Sequence, residues 1–102
     1  MFEINGEYWR VSLVPPYHDS LLTRDGKYTL GVCDDTVKSI YIANNLDKYK
    51  TELVLCHEIT HAAMFSYNVY LSIEQEELLA NLIATYGEEI VDITNTIFKK
   101  IK

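Results

Sequence analysis

His57-Glu58-Ile59-Thr60-His61 is the segment of this chain whose residue types and spacing can do chemistry. Residues four apart share one face of an α-helix, so both imidazoles can reach a single metal ion. Two neutral imidazoles and a carboxylate make a zinc set, and a fourth position left open makes such a site catalytic. Glu58 is offset by one residue. From there its carboxylate can reach a water beside the metal without ligating the metal, the placement of a general base. Val54, Leu55, Ile59, Thr60, Ala62 and Ala63 around the motif carry no charge. The competing reading, an amphipathic helix with two surface histidines, fits so apolar a flank poorly.

A zinc site of this kind needs a third protein ligand. The motif resembles that of thermolysin-like zincins, which take the third ligand from a Glu on the next helix, in a Glu-x-x-small-Asp/Asn pattern. Glu77-Leu78-Leu79-Ala80-Asn81 fits, beginning 16 residues after His61. The resemblance therefore implies one zinc ion per chain on His57, His61 and Glu77, with Glu76 the rival third ligand. Ala80 is small enough for close helix approach. Asn81, one turn after Glu77, could orient a ligand imidazole through its other ring nitrogen. The bland use of Glu74, Glu76 and Glu77 is a solvated helix start favoured by the dipole.

Two helices must position these groups. The first is expected over about residues 50–67, a stretch without Gly or Pro, with Asp47 or Thr51 as its cap. The second is expected over about residues 73–101. Ser72 and Gln75 have capping-box spacing, and Leu78, Leu79, Leu82, Ile83 and Tyr86 recur with helical period. Gly87 leaves it either long or broken. The apolar stripe Ile90, Ile93, Ile97 and Ile101 could be a partner surface, and packing against the sheet is the simpler use. Lys99, Lys100 and Lys102 suit a helix C-terminus.

The first half of the chain reads as strands. Asn5-Gly6 is a strong hairpin signal between the runs of a hairpin over 2–14, which Pro15-Pro16 ends. Residues 17–27 read as loop with at most one helical turn. A second hairpin spans 28–43, turning at Asp34-Asp35-Thr36, with Ile40 and Ile42 on one face. The expected fold is a single α+β domain over 1–102, with a small antiparallel or mixed sheet packed on the two helices.

HEITH, followed by the helix EELLANLIA and preceded by a strand pair with an acidic turn, is similar to the ImmA/IrrE family of metallopeptidases and related small phage or prophage proteins. The likeness covers about residues 28–86. It implies a zincin-like fold and a zinc-dependent endopeptidase, in which Glu58 moves the proton while a peptide bond is hydrolysed. It also implies that a protein or peptide substrate pairs antiparallel with an edge strand. By chain order that edge is Leu30, Gly31, Val32 and Cys33, and a regulatory protein of a mobile element is the family-level substrate.

Composition bounds the alternatives. The 102 residues carry 15 acidic and 9 basic side chains, a net charge of −6. An acidic chain is not built to live on nucleic acid or an anionic membrane. Cys33 and Cys56 are too few for a disulfide framework, and the N-terminus has no secretion-signal pattern, so cytoplasm is the expected compartment. Two other functions stay open: a non-catalytic zinc-binding interaction module, and an antitoxin or anti-defence protein on a zincin scaffold. Tyr67, Tyr70 and Tyr86 are expected to be half-buried core residues, and His18 a surface residue. Cys33 is expected to be small, half-buried packing, with zinc blockage by its thiolate the sharper alternative. The oligomeric state stays open.

Overall fold

Asn5 and Gly6 both adopt positive φ (49° and 79°) and turn β1 (Phe2–Ile4) back on β2 (Glu7–Val14) in antiparallel register. The computed structural model describes residues 1–102. Beyond β2, residues 15–30 form a loop holding one 3-10 turn at Asp19–Leu21. A second hairpin then joins β3 (Gly31–Asp34) to β4 (Ser39–Ala43), with Lys38 at φ 50° in its turn. The strand order is β1-β2-β4-β3. β4 lies parallel to β2, so the sheet is mixed, and β3 is left at the edge. Tyr28 and Leu30 precede β3, which begins three residues later than the sequence suggests. The Leu30 carbonyl still accepts the Ala43 amide at 3.0 Å, continuing the pairing by one step.

Alternation along β4 puts Ile40 and Ile42 on one face, both fully buried with Trp9 and with Ala62 of the first helix. Val14, Leu21 and Ala43 form a smaller cluster. α1 (Lys48–Ser66) starts at Asp47, whose side chain accepts the Lys50 amide at 2.7 Å. Asp47 is therefore the cap, and Thr51 lies inside the helix. The far end of α1 is pinned to the first hairpin. Trp9 Nε1 donates to Ser66 Oγ at 2.9 Å, and Asn5 Nδ2 donates to the Ser66 carbonyl at 3.0 Å. This pin sets where the helix lies on the sheet.

α2 (Ile73–Ile101) opens with the expected capping box between Ser72 and Gln75. It runs unbroken through Gly87. A glycine inside a helix costs about 1 kcal/mol, too little to interrupt a sequence that is helical on both sides. Its 29 residues span about 43 Å at 1.5 Å per residue. The N-terminal half crosses α1, and Ala80 is fully buried there. Ile90, Ile93, Ile97 and Ile101 do not pack on the sheet as the stripe suggests. All four are exposed, because the sheet lies on α1 and α2 has already passed beyond it. Tyr67, Tyr70 and Tyr86 are also exposed, not half-buried, since none lies on the face between α1 and the sheet. No helix is long and apolar enough to cross a membrane.

Removing the Ser66 hydroxyl leaves the indole N–H of a fully buried Trp9 without its partner. Ser66→Ala should lower stability by about 1–3 kcal/mol in denaturant unfolding. A loss below a few tenths would show that water replaces the hydroxyl.

Candidate metal centre

α1 carries His57, Glu58 and His61 on its third and fourth turns, and α2 brings Glu76 from its first turn and Glu77 from the start of its second. The close helix crossing at Ala80 makes the two sets meet. His57 Nε2 and His61 Nε2 face each other at 3.1 Å. The Glu77 carboxylate lies against both, with Oε2 at 3.2 Å from His57 Nε2 and Oε1 at 3.0 Å from His61 Nε2. His57, His61 and Glu77 thus form a group that could hold a metal ion.

The separations are of the size a bound metal ion requires. A tetrahedral centre with bonds of about 2.0–2.1 Å sets its ligand atoms about 3.3 Å apart. The two Nε2 atoms are 3.1 Å apart, and each meets a different Glu77 oxygen, at 3.0 and 3.2 Å, so the donors converge on one small space. Proton placement points the same way. Glu76 Oε1 lies 2.6 Å from His61 Nδ1, and a carboxylate only accepts, so Nδ1 carries the proton. In the neutral ring that leaves His61 Nε2 as a lone pair, aimed at a carboxylate oxygen and at a second imidazole. A proton or a metal ion lying among these atoms relieves that contact.

Glu76 and Glu77 therefore occupy different sides of the same ring. Adjacent residues of a helix are rotated by about 100°, enough to place one carboxylate at Nε2 and its neighbour at Nδ1. Glu76 stands where a carboxylate orients a metal-ligating histidine and raises its basicity. The sequence offered Asn81 for that position. Asn81 instead lines a cleft with Thr29, Leu30, Gly31, Lys50, His57 and Glu58. The Glu-x-x-small-Asn spacing pointed to Glu77 for the metal group, and nothing in it pointed to Glu76 as the partner of His61 Nδ1.

Glu58 is 7% exposed. Burial, reinforced by the nearby Glu77 charge and opposed by His61, pushes its carboxyl up to about 7. The cause is packing against β3. A Cβ built on Gly31 would lie 3.1 Å from Glu58 Cγ and Oε2 and 2.6 Å from Val54 Cγ1. Gly31 is thus the position that lets the edge strand and α1 close on Glu58. Cys33, two residues on, is half-buried on the same side. Burial and the Glu58 charge push its thiol up to about 12, so it stays protonated at neutral pH. His18 lies exposed in the first loop, accepting the Ser20 amide. The cleft beside His57 and Glu58 opens along Leu30 and Gly31, where β3 begins.

Comparison with protein-family models, with curated proteins and with solved structures finds no match for this chain.

Two outcomes test this geometry. Gly31→Ala should destabilise the fold by about 1–3 kcal/mol, because Val54 and Glu58 must both move. In the metal-free protein, Glu58 holds its proton more tightly when folded than when unfolded, so the folded state gains from protonation. That gain is complete below the ordinary value of 4.5 and is lost as pH rises through about 7. The melting temperature of metal-free protein should therefore fall across this window. Glu58→Gln should flatten the fall, and an equal slope in both proteins would assign it to another group.

Proposed function

We propose that this protein is a zinc-dependent endopeptidase of the kind its motif resembles, the ImmA/IrrE-type metallopeptidases. The observation that carries the reading is the meeting of His57, His61 and Glu77 at 3.0–3.2 Å beside a buried Glu58. His57 Nε2, His61 Nε2 and one Glu77 oxygen would hold the ion, and Glu76 would hold His61 in the ligating tautomer. Zinc bound there supplies Lewis acidity toward a carbonyl oxygen and toward water.

Glu58 supplies the proton transfer. Its carboxylate takes a proton from the water whose oxygen bonds to the peptide carbon, and returns one to the departing amine nitrogen as the C–N bond breaks. The substrate would be a protein or peptide segment laid along the free edge of β3, from Leu30 through Gly31 and Val32 to Cys33. Main-chain pairing there gives affinity with little sequence preference. A regulatory protein of a mobile element is the substrate class the resemblance suggests.

The test joins metal content to cleavage. Wild-type protein purified without an affinity tag should carry one zinc per chain, and His61→Ala and Glu77→Gln should lose most of it. Glu58→Gln should keep the zinc and cleave a peptide library at least about 100-fold more slowly. Zinc retained in Glu77→Gln would transfer the third ligand to Glu76. Zinc binding with no cleavage by wild type, and equal capture of a partner by wild type and Glu58→Gln, would support an interaction module or an antitoxin-like scaffold instead.

A further inference from the structure

The distal part of α2 stands alone. Every residue from Glu88 to Lys102 is exposed, including Ile90 at 52%, Ile93 at 55% and Ile97 at 49%. Half of residues 88–101 are β-branched, a composition with poor intrinsic helix preference. An isolated helix of such length is marginal in water and owes its stability to a partner surface. The apolar positions Ile90, Ile93, Ile97 and Ile101 recur three and four apart on one face, with Val91 and Phe98 beside them. A stripe of this width is built to lie against another element, and none of this chain's own elements covers it.

Charge selects the occupant. Glu88, Glu89 and Asp92 stand at the near end of this segment, and Lys99, Lys100 and Lys102 at the far end. The segment is neutral overall, so the six excess negative charges all fall within residues 1–87. We propose that α2 pairs with α2 of a second copy of this chain, antiparallel, about a two-fold axis near Asn95. This register sets Ile93 against the second copy's Ile97 and the reverse. The acidic end of each helix then lies beside the lysines of the other. Parallel pairing would place like charges together along the seam and bring two strongly acidic bodies side by side. The antiparallel arrangement carries those bodies to opposite ends, where the repulsion is screened. The self-complementary patch is the hallmark of a two-fold interface.

Sedimentation equilibrium of the full chain, with small-angle X-ray scattering on the same samples, tests this. The expected species has twice the 11.8 kDa mass and a dumbbell shape well longer than the 51 Å of one chain. Ile93→Lys with Ile97→Lys should weaken association by at least about 100-fold. Both side chains are exposed in the monomer, so the variant should keep its folded core, with wild-type melting of the sheet as the control. Lys99→Glu with Lys100→Glu should weaken association about tenfold at low salt and less at high salt. A monomer up to sub-millimolar concentration overturns the proposal. So does a dimer unaffected by the isoleucine changes, or one whose longest dimension stays near that of a single chain. None of these readings depends on metal or on cleavage, so the proposal fails or stands apart from the assigned activity.

Discussion

Electron-pair donors 3 Å apart repel unless a cation lies between them, and this molecule arranges three of them that way. The i, i+4 spacing on α1 directs both Nε2 atoms to one point, and Glu77, near the start of α2, supplies the carboxylate. The sheet, α1 and the first half of α2 hold that arrangement in place. The sheet fixes α1 through Trp9, Ile40, Ile42 and Ala62, and Ser66 anchors its far end. Ala80 lets α2 come close enough for Glu76 and Glu77 to reach opposite sides of His61. Two flanking carboxylates and two imidazoles concentrate so much donor density that the metal-free state carries an electrostatic burden, which a bound cation removes.

The same residues create the environment of Glu58. Its position is set by α1, but its burial is set by β3, where Gly31 allows a strand-to-helix approach that any larger residue would prevent. One glycine thus links the sheet edge to the protonation of a carboxylate on the neighbouring helix. The cleft opens at that contact, so the strand that would receive a peptide also shapes the group beside it.

Much of this could be read from the residues. Short-range signals were sufficient for the Asn5-Gly6 turn, the Ser72–Gln75 box and the strand pair, because turns, caps and alternation are decided within a few residues. HExxH spacing placed His57 and His61 on one face for the same reason. What was not legible depended on distance along the chain. The parallel β2–β4 pairing follows from a 16-residue loop with no distinctive pattern. The division of labour between Glu76 and Glu77 follows from the rotation of α2 at its crossing. The stripe of isoleucines announced burial, yet an apolar periodicity does not say whether its partner belongs to the same chain.

Trp9 is the only tryptophan in the sequence, and it is completely buried between sheet and α1 with its N–H held by Ser66. Its fluorescence is therefore a private reporter on one region. Blue-shifted emission will mark the intact strand–helix core, and a red shift will mark water entering it. Fraying of the distal turns of α2 will leave that signal untouched while far-ultraviolet dichroism falls. Optical melting of this chain thus separates into two colours of information: one for the body that carries the histidines, the other for the arm that extends from it.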